Sequence, residues 1–407
     1  MSQMNRRRAL QLLAALGTTG LAAGCGSDSE STTPTTSASP IKIGLIAPES
    51  GPNQAIGKEI TNGFQLFLSL NEQRLGGHPV TLATADEGVT AKTGQAAVDG
   101  LLKQGVLALT GVVSSVVMSA IRDTVETARV PLIGSNASPL SLQSVVYIWR
   151  TSYVLDEPGR ALGQYLRQTL PTTSRIALIA ANNPSSRDVM EGFRRNYESS
   201  ERQLPKDVIW TTNDPNAPKS AYSAPIQEAL RLHPDAIFCH FTGKAAVQFI
   251  KQLYDEGYRG SVFAPGFLTE GAVLGELDDG ENGQDRTHIL KYGIETALNY
   301  SPDLNNTANR VFASAYRKTF TASPTTYAMA SYDAAQVLDK AIRLAGENPN
   351  PQQVNLALGK IGQIDSPRGA WQFNQPRTPQ QKWYLRRVQL DGRMLSNVVI
   401  NELGTLG

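Results

Sequence analysis

Residues 106–139 read VLALTGVVSSVVMSAIRDTVETARVPLIGSNASP, and this stretch decides the fold. A short apolar strand at 106–109 precedes a helix at 116–128, and a second apolar strand follows at 131–133. The helix has apolar side chains three and four residues apart, whereas the strands are continuous apolar runs. This order predicts two parallel strands, buried on both faces and connected by a crossover helix.

The same alternation of strands and helices extends in both directions along the chain. On the N-terminal side, strands are predicted at 41–47 and 80–84 and helices at 56–68 and 96–102. On the C-terminal side the alternation restarts, with strands at 175–180, 208–211, 236–239 and 261–264 and helices at 159–169, 188–199, 220–231 and 245–257. Two successive series predict an α/β fold with two doubly wound, Rossmann-like lobes. The tail differs, because 370–373, 383–389 and 394–400 alternate as antiparallel strands around the turn Asp391-Gly392.

Length and composition agree with a two-lobed globular protein. The chain has 407 residues, 41% hydrophobic and 18% charged, which is more than one hydrophobic core usually organises. Its formal net charge is +2, and subtracting Arg6, Arg7 and Arg8 from the 38 basic residues leaves 35 against 36 acidic ones. A nearly neutral protein has no electrostatic reason to bind nucleic acid.

Residues 1–24 are predicted to be a signal peptide. The basic run Arg6-Arg7-Arg8 precedes the apolar residues 9–23, which are too few to span a membrane. Paired arginines suggest the twin-arginine route, and an ordinary Sec signal with one extra arginine is the alternative. An export signal, and the lack of a helix-turn-helix before Ile41, exclude a DNA-binding regulator in practice.

The run Leu21-Ala22-Ala23-Gly24-Cys25 resembles a bacterial lipobox, which predicts lipidation of Cys25; a plain signal peptidase site is the alternative. Residues 26–40 lack any large apolar side chain, so 25–40 are predicted to be a lipid anchor and disordered linker. The protein is then exported, either to the periplasm or to the outer face of the cytoplasmic membrane. Cys239, the only other cysteine, is predicted to be a buried thiol.

Several short motifs along residues 41–407 resemble the type I periplasmic binding proteins, in particular the leucine/isoleucine/valine-binding branch. They are Ile41–Leu45, Ser50-Gly51-Pro52, Asn62-Gly63, Asp86-Glu87, Gly111–Ser115, Pro131–Pro139, Arg150-Thr151 and Tyr332-Asp333-Ala334. The resemblance implies two lobes joined by a three-strand hinge. By analogy, residues 41–152 plus 300–372 form one lobe, and 153–299 plus 373–407 form the other.

Two loops at the carboxyl ends of strands carry serines in front of predicted helices. Ser114 and Ser115 precede one helix, and Ser138 followed by Pro139 is typical of another helix start. Free amides at two adjoining helix starts predict a site for a carboxylate, although either serine alone is more simply a helix cap. The resemblance implies the same role for Ser115, Ala137 and Ser138.

The resemblance also places ligand-binding positions in the opposite lobe, where this sequence departs from the amino-acid binders. The acid expected for the α-ammonium is replaced by Gly266, beside Phe267. The expected aromatic side chains align with Ile56, Ser185 and Thr242. Phe267 and Ile56 are predicted to form an apolar wall, with Asn183 or Ser185 as hydrogen-bonding groups. Either Glu270 or Asp188 is a candidate to replace the missing acid; otherwise the ligand is an organic acid without an amine.

Other chemistry has little support in the sequence. The four histidines have no metal-site spacing, no nucleophile elbow or P-loop occurs, and no cofactor is predicted. We therefore expect a monomeric, non-enzymatic binding protein. It takes an amino acid, with the branched-chain ones as candidates, or a related organic acid, and delivers it to the permease subunits of an ABC transporter. A sensor that reports to a membrane receptor is the main alternative, and an amidase on the same scaffold is a third.

Overall fold

The computed structural model describes residues 38–142, 144–214 and 216–407. The predicted signal peptide, the lipidation site at Cys25 and residues 26–37 of the linker lie outside the described residues. Within the described part, no helix has both the length and the apolar character that crossing a membrane requires.

The described residues form fourteen strands in two sheets. They are β1 (Ile41–Ala47), β2 (Arg74–Leu75), β3 (His78–Asp86), β4 (Ala108–Gly111), β5 (Leu132–Gly134), β6 (Ile148–Arg150), β7 (Ile176–Ala181), β8 (Ile209–Thr211), β9 (Ala236–His240), β10 (Ser261–Pro265), β11 (Ile294–Leu298), β12 (Gln372–Phe373), β13 (Pro379–Asp391) and β14 (Met394–Leu406).

Twelve α-helices pack on these sheets in the described residues. They are α1 (Gln54–Leu70), α2 (Ala91–Lys103), α3 (Ser115–Ala128), α4 (Glu157–Thr169), α5 (Pro184–Tyr197), α6 (Ser223–Arg231), α7 (Gly243–Asp255), α8 (Val273–Leu277), α9 (Gln284–Tyr292), α10 (Thr307–Phe320), α11 (Thr326–Ala345) and α12 (Pro351–Leu358). Short 3-10 helices occur at Lys219–Tyr222 and Gly266–Thr269.

The first sheet has the order β2-β3-β1-β4-β5-β6, and all its pairs are parallel except β2 with β3. Successive residues of β1 are buried on opposite faces: Leu45 belongs to the core beneath α1 and α11, and Ile46 to the core beneath α2 and α3. A strand buried on both faces explains why β1 has no polar residue from Ile43 to Ala47. The predicted parallel, doubly covered sheet is confirmed.

The second sheet has the order β12-β13-β11-β10-β9-β7-β8, and β14 pairs with β13. Its strands β7 to β11 are parallel, whereas β13 runs antiparallel to both β11 and β14. Both series of alternating elements and the antiparallel tail are therefore confirmed. The lobe boundaries drawn from the resemblance remain a prediction.

Buried polar side chains connect the three segments through which the chain passes from one sheet to the other. Gln381 accepts a hydrogen bond from Asn299 at 2.8 Å and donates one to the carbonyl oxygen of Ser152 at 3.0 Å. Arg368 also donates to Gln381 at 2.5 Å and pairs with Asp333 at 2.6 Å. This network joins all three crossings of the hinge.

The prediction of a helix that starts at Ser138 and Pro139 is wrong. The described residues between β5 and β6 contain no helix, because backbone carbonyls of the preceding β4 loop take up the amides of this segment. Ser135 N donates to Gly111 O at 2.9 Å, and Ala137 N donates to Val112 O at 3.0 Å. Ser138 O in turn accepts from Leu155 N at 3.2 Å. These tertiary hydrogen bonds override the local helix-start signal.

Candidate functional site

A cavity of about 330 Å³ lies between the lobes, at the carboxyl ends of strands from both sheets. This is within the usual range for small-molecule pockets. Six of the eight predicted ligand-binding residues line it: Ile56, Ser115, Ala137, Ser185, Thr242 and Phe267.

The other two predicted site residues, Ser138 and Gly266, are not among the lining residues. Ser138 is completely buried, and its hydroxyl has no hydrogen-bond partner among the described residues. A Cβ atom on Gly266 would lie 2.7 Å from both Nη2 of Arg386 and Cβ of Leu298. That position therefore faces the packed interior of the second lobe, and the neighbouring Phe267 side chain lines the cavity instead.

The first-lobe wall is the start of α3. Ser114 caps the helix by accepting a hydrogen bond from Val117 N at 3.4 Å. The amides of Ser115 and Val116 are the first two of the helix, and neither has a hydrogen-bond partner among the described residues. Free amides at the positive end of the helix dipole are a binding site for an anion.

Glu87 fixes the loop that leads into α3. Its buried carboxyl group accepts hydrogen bonds from Val113 N and Ser114 N, each at 2.7 Å. Burial raises the pKa of Glu87 to about 7, and the two amide hydrogen bonds oppose this shift. Since Glu87 uses the amides before the helix, only those at the helix start are free for a ligand.

The opposite wall is formed by two helix starts of the second lobe. Asn183 caps α5 by accepting from Ser186 N at 2.9 Å, with Pro184 at the first helical position. The Ser185 hydroxyl lies 3.1 Å from that of Ser115, so the lobes touch at the cavity. Thr242 precedes α7 without capping it through its side chain.

Aromatic side chains form part of the cavity wall. Phe267 lies between Tyr153 and Tyr327, with ring centroids 5.7 Å away on each side and interplanar angles of 28° and 7°. Phe267 and Tyr327 both line the cavity. A flat apolar group placed here would contact aromatic surface rather than polar atoms.

The cavity has no charged wall: its described lining contains no Asp, Glu, Lys or Arg. Glu270, one candidate to receive an ammonium, pairs with buried Arg386 at 2.9 Å and accepts from Thr326 N at 2.8 Å. The other candidate, Asp188, accepts from Leu140 N at 3.1 Å. Neither reaches the cavity, so neither replaces the acid that the resemblance leads one to expect.

With this geometry in place, comparison with known proteins identifies the family. Residues 40–393 match the family described as periplasmic binding protein. The chain belongs to the periplasmic binding protein family. The two-lobed α/β fold is therefore the family fold.

Curated relatives of this periplasmic binding protein are distant. "Leu/Ile/Val-binding protein homolog 6" of Brucella melitensis is 23% identical over 360 residues, which cover 86% of this chain and 87% of the relative. "Leu/Ile/Val-binding protein BraC3" of Rhizobium johnstonii is 25% identical over 158 residues, which cover 38% of this chain and 43% of the relative.

Solved structures with the same fold include binders of different small molecules. An ABC-transporter solute-binding protein of Rhodopseudomonas palustris in complex with benzoate has a TM-score of 0.78 at 24% identity, covering 90% of this chain and 96% of that one. A leucine-binding protein of Thermotoga maritima has a TM-score of 0.76 at 19% identity, covering 89% and 99%. At these identities the similarity establishes the fold.

Among the residues of the cavity wall that were not predicted from the sequence of this periplasmic binding protein are His240 and Tyr327. His240 ends β9, and the rule that placed Ser115 at a strand end would also have indicated it. Tyr327 lies in the first turn of α11, far along the chain from the other lining residues. Nothing in its local sequence distinguishes it from a core aromatic.

Proposed function

We propose that this chain is the solute-binding component of an ABC importer and that its ligand is a small aromatic carboxylate without an α-amino group. The observation that carries the proposal is an anion-binding helix start in a cavity whose described walls hold no acidic side chain. The ligand carboxylate binds at the Ser115 and Val116 amides and the Ser115 hydroxyl. A hydrogen bond that involves a charged group contributes about 1.5–3 kcal/mol.

The absence of a described acid at the wall argues against an amino acid. An α-ammonium transferred into this cavity would lose water without gaining an opposite charge, which is costly. A carboxylate without an amine meets no such cost, because the helix start supplies donors. An organic acid is therefore favoured over a branched-chain amino acid, which remains the competing ligand class.

The aromatic side chains of the cavity wall narrow the choice of ligand class further. Phe267 and Tyr327 present stacked rings to the cavity, and such rings favour another ring in offset-stacked or edge-to-face geometry. The Rhodopseudomonas palustris protein was solved with benzoate, and two further similar structures contain 3,4-dihydroxybenzoic acid and p-hydroxybenzoic acid. Aromatic acids are accordingly the first ligands to test.

Transport follows from the two-lobed design. Ligand bound between hinged lobes stabilises the closed form, and permease subunits recognise that form. Export through the signal peptide, lipid attachment at Cys25 and a monomeric state complete the proposal, and no catalytic step is part of it. A sensor that reports to a membrane receptor would use the same closure of the lobes. Loss of ligand uptake when the gene is deleted distinguishes import from sensing.

The test is a thermal-shift screen of the exported domain against the twenty amino acids and a panel of aromatic and aliphatic carboxylates. A ligand at a hundredfold excess over its Kd adds about 2.7 kcal/mol to the free energy of unfolding. We expect benzoate-type acids to stabilise the protein and amino acids to leave its Tm unchanged.

Ser115→Ala is the matched variant, since it removes one hydroxyl from the proposed carboxylate site. We expect it to weaken benzoate binding about tenfold and to leave the unliganded Tm within 2 °C. Stabilisation by amino acids alone, or benzoate binding that does not respond to S115A, contradicts the proposed ligand and its site.

A further inference from the structure

A second, smaller cavity of about 60 Å³ adjoins the first. The two cavities share Asn183, Asn213, His240 and Thr242 as walls, and the smaller one ends against the first residues of α7. It has less than a fifth of the volume of the larger cavity. It therefore suits a substituent of the ligand rather than the main body of the ligand.

His240 forms part of the shared wall, and its two ring nitrogens differ. Nδ1 lies 2.9 Å from the Ser186 hydroxyl, whereas Nε2 has no hydrogen-bond partner among the described residues. The side chain is only 3% exposed, so water does not compensate for the missing partner. His240 lines both cavities, and a ligand atom that reaches its unpaired Nε2 gains a hydrogen bond.

The Ser186 hydroxyl determines which hydrogen-bonding role Nε2 has. Nδ1 is the only partner of this hydroxyl in the described part of the chain. We assign the hydroxyl as the donor, because the reverse direction would leave its hydrogen unpaired. A neutral imidazole that accepts at Nδ1 carries its hydrogen on Nε2. Nε2 therefore offers a donor, and the matching ligand atom is an acceptor oxygen.

We propose that the ligand is a hydroxylated aromatic acid, whose ring hydroxyl enters the small cavity and accepts a hydrogen bond from Nε2 of His240. This inference rests on the proposed function and extends it. The carboxylate binds at the start of α3, the ring contacts Phe267 and Tyr327, and His240 contacts the ring hydroxyl. His240 is thus a specificity-determining residue.

Charge supports the same assignment. Burial lowers the pKa of His240 to about 4, so the ring is neutral at pH 7. A neutral donor suits a hydroxyl oxygen. Lys244 is the one charged residue in the described lining of the small cavity, so a ligand oxygen there faces a cation rather than an acid.

The test compares benzoate, 3-hydroxybenzoate and 4-hydroxybenzoate by isothermal titration calorimetry on the wild type and on His240→Phe. Phenylalanine keeps an aromatic ring against Phe267 and removes the donor. We expect the wild type to bind one hydroxybenzoate about tenfold more tightly than benzoate, and H240F to bind the two ligands with equal affinity. The preferred isomer shows which ring position faces His240.

Ser186→Ala is the second variant, for use should H240F fail to fold. It keeps the imidazole but removes the hydroxyl that fixes its tautomer, so the preference for the hydroxybenzoate is expected to shrink. The inference is overturned if wild type binds benzoate as tightly as both hydroxybenzoates, or if the preference survives in the variant. If no aromatic acid binds at all, the proposed function fails and this inference fails with it.

Discussion

The buried histidine of the cavity contributes a loss of stability in mild acid. In the folded chain, burial holds the pKa of His240 at about 4 against an ordinary value of 6.5. Between these pH values the unfolded chain binds a proton at this position and the folded chain does not. The free energy of unfolding is therefore lowered as pH falls from 6.5 to 4.

The two pKa values set the size of this effect. Each pH unit between them corresponds to about 1.4 kcal/mol, so the interval from 6.5 to about 4 amounts to about 3 kcal/mol. Buried carboxyl groups with raised pKa values, such as Glu87 and Glu157, act in the opposite direction over neutral pH. The contribution of the histidine must therefore be obtained as a difference between wild type and a variant.

Urea unfolding of ligand-free wild type and H240F, measured from pH 4 to pH 7, provides that difference. We expect the free energy of unfolding of wild type to fall by about 3 kcal/mol more than that of H240F as pH decreases from 7 to 4, whatever their separation at pH 7. His233→Asn is the control, because His233 is exposed and has a positive φ of 46° that asparagine tolerates. A constant separation between wild type and H240F would refute the assignment of His240 as a buried neutral ring.

Three further predictions concern the framework of the site. Asp333→Asn removes the charge that pairs with buried Arg368 and should lower the free energy of unfolding by about 3–5 kcal/mol in urea titrations. A loss below about 1 kcal/mol would contradict the hinge network described above. Gly111→Ala places a Cβ atom 2.0 Å from the carbonyl oxygen of Ile46 at a φ of 107°, so we expect the Tm to fall by at least about 5 °C. An unchanged Tm would show that this strand end is not so tightly packed. Cys239 should react with a thiol reagent only after unfolding, because it is completely buried and burial raises the pKa of its thiol; rapid reaction of the native protein would contradict this.

The fold could be predicted from the sequence because the apolar pattern of each buried strand indicates which of its two faces are covered. Leu45 and Ile46 are both apolar since β1 is covered on both faces, and an exposed face would have introduced a polar residue at every second position. Ser115 was found for a similar reason, because a polar residue between a buried strand and an amphipathic helix lies at the carboxyl edge of a parallel sheet.

Features that depend on tertiary contacts could not be predicted in this way. Ser138 and Pro139 form a strong local helix-start signal, but hydrogen bonds to the β4 loop hold their segment in an irregular conformation. Gly266 was predicted to be a ligand-binding residue by analogy with the family. In the structure it begins the 3-10 helix Gly266–Thr269, and the neighbouring Phe267 lines the cavity instead. Tyr327 joins that wall only because α11 packs between distant parts of the chain.

The central claim is that the site binds a carboxylate and rejects an α-ammonium. Two ligand pairs isolate that group: 3-phenylpropanoate with L-phenylalanine, and 4-methylpentanoate with L-leucine, since the members of each pair differ only by the amine. Calorimetric titration at pH 7 should show the acid of each pair binding at least about tenfold more tightly than its amino acid, because the cavity offers the ammonium no partner charge. Tighter binding of either amino acid would show that the ammonium is accommodated and would contradict the account.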